Sequence, residues 1–284
     1  MRRWKSVFLC VKSAEVHFPG IREEYYLMLA NYHTHTPRCH HARGSEREYI
    51  EEAIRAGFTT LGFSDHVPQP YPEDFHSTIR MEISEIPDYT ETLLKLREEY
   101  KDKIRILIGY EVEYSDRFFP EMMRILRQYP LDFLIQGQHF APNEVDGFYV
   151  GWEFSDEKNL KAYVDTTVAG METGVFTYLA HPDLPNFTGD EETYRKHMSR
   201  IVETSLKLDI PLEVNMYGFS DGRHYPCDRF FKMASQMGAK FVLGCDAHQP
   251  SLVRQPESVP GLMEFLSRYG IEVGENLVEI KDPN

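Results

Sequence analysis

Seven short apolar runs in this sequence each end in residues that can bind a metal ion or a substrate. They close with His33 and His35 in NYHTHT, His66 in LGFSDH, Glu111 in ILIGYE, His139 in FLIQGQH, His181 in YLAH, Asn215 in LEVN, and Asp246 with His248 in VLGCDAH. Imidazole and carboxylate groups are the donors that zinc and other transition ions bind in proteins. The sequence therefore predicts a metal site built at strand ends.

The His-x-His pair of the first run has the geometry of a chelate. Alternate residues of a strand point to the same face, so His33 and His35 can hold one ion while Thr34 points away. With His41 in the following loop, nine ligand-type residues close the runs or lie just beyond them, more than one four-coordinate ion can use. We therefore expect two or three divalent transition metal ions, and zinc, iron and manganese all suit these ligands.

The spacing of the runs predicts the elements that position these ligands. The runs recur roughly every 36 residues, against the 30 or more residues of a strand-helix-strand unit. Segments with helical periodicity lie between and after them, at 45–58, 87–103, 118–130, 157–174, 191–209, 228–238 and 261–270. The first begins with a capping box, in which Ser45 is the N-cap and Glu48 its partner.

This alternation predicts an α/β fold with a mostly parallel sheet. Ligands close nearly every strand, whereas an open doubly wound sheet concentrates its site at one switch point. We therefore predict a distorted seven-stranded (β/α)7 TIM-like barrel with the metal site at the C-terminal ends of the strands.

Composition is consistent with one domain that has a large core. The chain has 284 residues, 42% of them hydrophobic, and a single barrel commonly has about 250. Its formal net charge of -14 disfavours long nucleic acid as a partner, although a small anion held by metal ions is compatible. The cysteines, at positions 10, 39, 227 and 245, form no CxxC pair and no disulfide framework, which predicts a reducing, cytoplasmic location.

Residues 1–27 differ from the rest of the sequence. The basic start MRRWK is followed by VFLCV, which is too short for a secretory signal and lacks a cleavage pattern, and no membrane span is predicted. Met28 lies five residues before His33. We expect residues 1–27 to be an N-terminal appendage, or to precede the true start, and residues 28–284 to form the barrel.

The motifs HTHTPRCHH, GFSDH, GYEVEY, GQHF, LAHPD and GCDAH resemble, in order and spacing, those of the polymerase and histidinol phosphatase (PHP) superfamily. The likeness covers about residues 29–250. The Arg80-Met81 pair, and the Glu213-x-Asn215 strand followed by YGFSDGRHYP, are most similar to the histidinol-phosphate phosphatase branch. The resemblance implies a seven-stranded barrel with three metal ions that hydrolyses phosphate monoesters.

The resemblance also implies how the ligands divide among the ions. The first ion would be held by His33, His35, Glu111 and Asp246. The second would be held by Glu111, His139 and His181, and the third by His41, His66 and His248. His41 has the spacing of the motif, six residues after His35, and the adjacent His40 is the alternative.

Some positions depart from the family pattern. Asn31 stands where Asp often precedes the His-x-His pair, and Cys245 stands where Ser is usual; neither residue has to be a ligand. Histidinol phosphatases often place a basic residue shortly after the histidine of LAHPD, and here the positions are Leu184, Pro185 and Asn186. This departure weakens the substrate assignment more than the reaction type. Cys39 and Cys245 are expected to pack in the interior.

We assign catalytic roles to Glu111, Asp246, Arg223 and His224. Ions bridged by Glu111 would lower the pKa of a bound water toward about 7 and so supply the nucleophile. Arg223 and Arg80 would bind phosphoryl oxygens, although each is equally well interpreted as a surface arginine. His224 is a candidate proton donor to the leaving group, with a metal-bound water as the alternative.

The substrate pocket is expected to include Arg80, Arg223, Asn215 and Trp152, with Glu213 as a further contributor. The predicted function is metal-dependent hydrolysis of a small phosphorylated metabolite, most specifically L-histidinol phosphate to L-histidinol and phosphate.

Three alternatives remain open. A nucleotide phosphatase or exonuclease of the same superfamily would usually open with Asp-x-His-x-His-Ser and have a basic surface. A noncatalytic metal-binding barrel should lack a ligand. An amidohydrolase on a related barrel would lack phosphate-directed cations. No membrane partner is predicted, and the oligomeric state stays open.

Overall fold

A computed structural model describes residues 27–284 of the chain. The predicted appendage therefore lies, apart from Leu27, outside the described residues. The strands are β1 Ala30–Asn31, β2 Thr60–His66, β3 Arg105–Val112, β4 Phe133–Gln136, β5 Phe140–Ala141, β6 Phe148–Tyr149, β7 Leu212–Asn215 and β8 Phe241–Gly244. The α-helices are α1 Glu46–Arg55, α2 Ile86–Tyr100, α3 Phe119–Leu126, α4 Glu157–Glu172, α5 Glu191–Leu208, α6 Met216–Ser220, α7 Asp228–Met237 and α8 Leu262–Arg268.

Parallel pairing closes the seven ligand-bearing runs into a ring. Strands β1 to β4 form one parallel sheet in chain order, and β7 pairs in parallel with β8. Leu179 joins the two sheets through parallel bridges to Gln136 and Leu212. Across the remaining gap, Thr34 bridges Ala247, with the His35 amide donating to the Ala247 carbonyl at 3.0 Å. The predicted α/β barrel is confirmed, and it is distorted because three of its connections are only single bridges.

Some elements differ from the sequence prediction. The run YLAH forms no regular strand and pairs only through Leu179. The first run pairs for two residues before its bridge at Thr34. The Asn31 side chain competes locally with the ladder, because its Nδ2 donates to the His33 carbonyl (3.2 Å) and its Oδ1 accepts from the His33 amide (3.4 Å). The antiparallel hairpin β5–β6 and the short helix α6 were not predicted.

The seven predicted helices all form. At the start of α1, the Ser45 side chain accepts from the Glu48 amide and the Glu48 carboxylate accepts from the Ser45 amide, which confirms the capping box. Helices such as α1 bury one apolar face, here Tyr49, Ile50 and Ala53, in the main core. Within residues 27–284, no helix combines the length and the apolar character needed to span a membrane.

A second core cluster combines side chains from β1, β3, β4 and β8, the segment before His181, and Tyr32. The C-terminal segment 275–284 runs across the N-terminal ends of these strands, opposite the ligands. Val278 and Ile280 of this segment pack against the cluster. Asn276 bonds to β1 and β8, the first and last strands, which meet where the barrel closes and form its seam. Its Nδ2 donates to the carbonyls of Ala30 (2.9 Å) and Leu243 (2.8 Å), and its Oδ1 accepts from the Leu243 amide (2.8 Å).

Asn276→Ala should therefore lower the free energy of unfolding by about 2–4 kcal/mol. Each lost bond contributes about 1 kcal/mol, and the backbone groups of β1 and β8 lose their partners. Urea denaturation measures the change. Asn284→Ala, at an exposed asparagine of the same segment, is the control and should alter stability by less than about 0.5 kcal/mol. Equal effects of the two substitutions would contradict a role of Asn276 in closing the seam.

Candidate metal centre

Four buried donor atoms converge beyond the ends of β1, β3 and β8. His35 Nε2 lies 3.0 Å from Asp246 Oδ1 and 3.7 Å from Glu111 Oε2, and His33 Nε2 lies 3.4 and 3.6 Å from the same oxygens. Within the described part of the chain, none of these four atoms has a hydrogen-bond partner. An unpaired buried polar atom costs about 1–3 kcal/mol. Two imidazoles and two carboxylates that face one another in this way fit a bound transition metal ion.

The other oxygen of Glu111 faces a second group. Its Oε1 lies 2.6 Å from His181 Nε2 and 3.7 Å from His139 Nε2. Glu111 thus presents one carboxylate oxygen to each of two groups, as a ligand that bridges two ions must.

A third group lies beside the first. His41 Nε2 and His248 Nε2 are 3.0 Å apart, and ligand atoms of His35, His66 and His248 lie within 4.8 Å of one another. His66 also reaches Glu111, with Nδ1 3.0 Å from Oε2, so it lies between the first and third groups. His40 and His41 are both exposed, and His41 is the one whose ring contacts His248. The structure thus brings together all nine residues predicted as ligands, and the choice of His41 over His40 stays a prediction.

Several of these histidines are oriented by a hydrogen bond on the side of the ring that faces away from the cluster. Their Nδ1 atoms face acceptor oxygens, which leaves Nε2 directed at the cluster, as is typical of metal-binding histidines. The pairs are His33 with Glu213 (2.7 Å), His35 with Asp65 (3.4 Å), His41 with the Cys39 carbonyl (2.6 Å), His139 with Glu113 (3.1 Å), and His248 with the Asp246 carbonyl (3.0 Å).

The charges of the carboxylates and the histidines in this cluster depend on one another. Burial raises the pKa of Glu111, but the surrounding histidines outweigh it and hold that pKa well below its usual range. The same balance, with His33 and His248 as the main neighbours, keeps the pKa of Asp246 well below its usual value. Burial lowers the pKa of both His66 and His248 well below that of free histidine.

Burial also lowers the pKa of His33, but the carboxylates of Glu213, Asp246 and Glu111 outweigh it and raise that pKa to about 10. Nearby carboxylates likewise outweigh burial and raise the pKa of His35 and His181. Metal binding at these three rings would therefore release protons, whereas Glu111 and Asp246 are already charged.

Two glycines leave room for the central carboxylates. A Cβ atom at Gly137 would lie 1.8 Å from Glu111 Oε1, and one at Gly244 would lie 1.7 Å from Glu213 Oε1. Gly137 directly follows β4, and Gly244 is the last residue of β8. Any side chain there would displace the carboxylate that it meets.

Asn215 and Glu213 do not contact the substrate space as predicted. Both are fully buried. The Asn215 amide donates to Glu213 Oε2 (2.9 Å) and Asp246 Oδ2 (3.1 Å), and its oxygen accepts from the Gly218 amide. Glu213 Oε2 also accepts from the His181 amide at 2.9 Å. The prediction of substrate contacts is corrected to a positioning role, because every polar atom faces the ligands or the backbone.

Arg80 is also placed differently from the prediction. It is 2% exposed, and its guanidinium donates to Glu113 (2.9 Å), Glu144 (2.7 Å) and the Val67 carbonyl (3.1 Å). Because this arginine is almost fully buried and each of its three nitrogens donates to a buried contact, it does not face a space where a phosphoryl group could bind.

Arg223 lies beside the cluster and keeps part of its surface exposed. Its guanidinium stacks 4.5 Å from the ring centre of Tyr217, and it donates to Asp221 (3.0 Å) and Tyr225 (3.1 Å). Tyr217 in turn lies 5.3 Å from the ring of His248. The predicted phosphate-binding role of Arg223 is compatible with this position.

His224 is poorly placed to act as the predicted proton donor. Its Nε2 lies 2.6 Å from the Leu184 carbonyl, which only accepts, so the ring proton is on that nitrogen. Burial lowers the pKa of His224 below that of free histidine, so Nδ1 has no proton to give at neutral pH. The structure therefore argues against the predicted role.

A cleft opens next to the third group. It encloses about 290 Å³ and is lined by His41, His248, Tyr217, Asp221, Arg43 and Arg254, among others. Trp152 is 69% exposed and packs edge-on against Tyr149, with ring centres 5.9 Å apart. A substrate contact of Trp152 stays a prediction.

Sequence reasoning missed the carboxylates that orient the histidines. Asp65 directly precedes the ligand His66, and Glu113 is two residues beyond Glu111 on the same strand run. The alternation of a strand could have placed Glu113 on the ligand face. Cys39 was expected to pack in the interior, and it is buried; its sulfur also lies within 4.8 Å of ligand atoms of His41 and His248.

The cluster and the barrel around it define a class of metal-dependent α/β-barrel proteins, and comparison with known sequences identifies the family. The PHP domain family matches residues 31–217, and the chain belongs to this family. A curated relative named "Histidinol-phosphatase" from Lactococcus lactis is 32% identical over 276 residues, which is 89% of this chain and 98% of the relative. A "Probable histidinol-phosphatase" from Deinococcus radiodurans is 26% identical over 240 residues, with 79% and 88% of the two chains covered.

A solved structure is also similar. The crystal structure of histidinol phosphate phosphatase from Lactococcus lactis, complexed with zinc, L-histidinol and phosphate, superposes with a TM-score of 0.65. The superposition covers 89% of this chain and 99% of that one, with 19% identity among the superposed residues. This likeness supports the fold.

Gly137→Ala should sharply reduce metal binding, because the added methyl group displaces Glu111 from its position between two groups. We expect at least one ion fewer per chain by metal analysis and a loss of activity of about 100-fold or more, as for loss of a main electrostatic contribution. Gly274→Ala is the control, because a Cβ atom there meets nothing within 4 Å. Full metal content in the Gly137 variant would show that Glu111 needs no such clearance.

Proposed function

We propose that this protein is a metal-dependent phosphomonoesterase that hydrolyses L-histidinol phosphate to L-histidinol and phosphate. One observation carries the reaction class: four unpaired, buried donor atoms of His33, His35, Glu111 and Asp246 face one another within 3.0–3.7 Å. Membership of the PHP family and a relative named histidinol-phosphatase that is 32% identical support the substrate.

The donor set supports two or three divalent ions. Histidine and carboxylate ligands suit zinc, iron and manganese, and the similar crystal structure contains zinc. When bound, such ions lower the pKa of a bound water toward about 7 and neutralise charge on the phosphoryl oxygens. The presence of every predicted ligand argues against the alternative of a noncatalytic barrel.

The residues around the cluster suit a small anionic substrate. Arg223 is the candidate contact for the phosphoryl oxygens, and its stacking on Tyr217 holds it beside His248. A cleft of about 290 Å³ is near the lower limit of ligand pockets, roughly 300 Å³, which favours a small metabolite over a polymer. Asp221 lines that cleft and is a candidate partner for the amine of histidinol.

Asp246 has a double role in this proposal. Its Oδ1 faces His33 and His35, and its Oδ2 accepts from Asn215. The carboxylate is therefore held in one orientation while one oxygen remains available to the first ion.

The net charge of -14 and the cleft size support a small-molecule partner and no long nucleic acid. The cysteines at positions 39, 227 and 245 are free thiols, which supports a cytoplasmic location.

Purified protein should contain at least two transition metal ions per chain and lose its phosphatase activity when a chelator removes them. Phosphate release from histidinol phosphate should exceed that from p-nitrophenyl phosphate, and adding back zinc or manganese should restore both. Metal analysis by mass spectrometry and a phosphate-release assay measure these quantities. An active preparation with one ion or none would exclude the multinuclear mechanism, and a preference for the generic ester would remove the histidinol assignment.

Arg223→Ala should lower kcat/KM for histidinol phosphate by roughly ten- to a hundredfold. A charge-assisted contact to phosphate contributes about 1.5–3 kcal/mol, and 1.4 kcal/mol corresponds to a factor of ten. The control is Arg268→Ala, which removes a surface arginine of α8 paired with Asp228. Unchanged kinetics in the Arg223 variant would show that this side chain does not bind the phosphoryl group.

A further inference from the structure

A buried chain of charged groups runs from one ligand of the cluster into the loops behind it. His139 Nδ1 lies 3.1 Å from Glu113 Oε1, and the same oxygen accepts from Arg80 at 2.9 Å. On its other side, Arg80 donates to Glu144 at 2.7 Å. Glu144 also accepts from Ser77 (2.7 Å) and Tyr71 (3.1 Å), both in the loop that contains Arg80.

These contacts join three separate parts of the barrel. Arg80 comes from the loop between β2 and α2, Glu113 follows β3, and Glu144 lies in the turn of the β5–β6 hairpin that begins just after His139. A planar guanidinium can serve two carboxylates and a carbonyl at fixed angles, which the single ammonium of lysine cannot do. Arg80 therefore fixes the position of Glu113 relative to the hairpin.

The position of Glu113 decides the position of His139. A carboxylate that accepts from the Nδ1 proton of a ligand histidine fixes the ring and makes the opposite nitrogen a better donor to metal. Within residues 27–284, the contact to Glu113 is the one hydrogen bond of the His139 ring, and its Nε2 faces Glu111 Oε1 at 3.7 Å. A shift of Glu113 would therefore move His139 Nε2, the nitrogen that faces Glu111 Oε1 in the second group.

We propose that Arg80 is a positioning residue for the second metal ion, acting through Glu113 on His139, and that it does not contact the substrate. The inference rests on the metal-binding part of the proposed function and is independent of the substrate. It replaces the phosphate contact predicted from the sequence by a contact to a ligand-orienting carboxylate. Substitution of Arg80 should change metal affinity first and catalysis as a consequence.

The test is a stepwise zinc titration against a chromogenic chelator in wild type, Arg80→Lys and Glu113→Gln. We expect both variants to bind one of their ions about ten- to a hundredfold more weakly, the usual effect of removing a group that orients a ligand, while the other ions keep their affinity. Arg97→Lys is the matched control. It replaces an arginine paired with Asp132 at the start of β4, far from the cluster, and should leave every step unchanged.

Kinetics at saturating zinc give the second readout. A positioning role predicts that excess metal restores kcat in Arg80→Lys, with unchanged KM for p-nitrophenyl phosphate and unchanged inhibition by inorganic phosphate. A raised KM with a normal zinc titration would overturn the proposal in favour of a phosphate contact. Loss of stability in urea with a normal titration would reduce Arg80 to a structural ion pair.

Glu113→Gln keeps the test decisive if Arg80→Lys does not fold, because glutamine preserves size and can still accept from Arg80. A normal zinc titration in this variant would also overturn the proposal. The outcomes separate this inference from the proposed function. Wild-type protein that binds no zinc would refute the proposed function, whereas zinc-binding protein with unaffected variants would refute only the role of Arg80.

Discussion

The carboxylate of Glu111 is the group on which the site depends. It is almost fully buried at the end of the central strand β3, and burial without positive partners would make its charged form costly. Imidazole nitrogens from five positions surround its two oxygens within 3.7 Å. They belong to His33, His35, His66, His139 and His181. Because these five histidines come from four different segments, the barrel must bring all of them to one point before the cluster exists.

The metal cluster can therefore form only when the barrel is closed. The seam between the first and last runs depends on a single bridge near the ligands, Thr34 to Ala247, and on the side chain of Asn276 at the opposite end. His33 and His35 lie on one side of this seam and Asp246 lies on the other. The first group of donors thus spans a connection of the sheet that consists of a single bridge, so a bound cation and a closed barrel stabilise each other.

Much of the site could be predicted from the sequence because each ligand ends an apolar run, and the ends of parallel strands meet on one face. The roles of Arg80, Glu213 and Asn215 could not. Whether a polar residue faces the substrate or orients a ligand depends on its contacts with side chains of other strands. The spacing of residues along the chain does not predict those contacts. Glu213 shows this clearly, because its oxygens contact His33 and the backbone of His181 across two strands.

Two ligands occupy backbone conformations that L-residues seldom adopt, His181 with a φ of 28° and Asp246 with a φ of 47°. Such positions cost of order 1–3 kcal/mol each and persist where surrounding contacts determine them. Here the determining contacts come from two neighbouring residues of β7. Glu213 accepts from the His181 amide, and Asn215, which donates to Glu213, also donates to the Asp246 carboxylate. The strand β7 supplies no metal ligand of its own. Its contribution is to hold two strained ligands in place, which explains why its buried acid and amide lie behind the cluster.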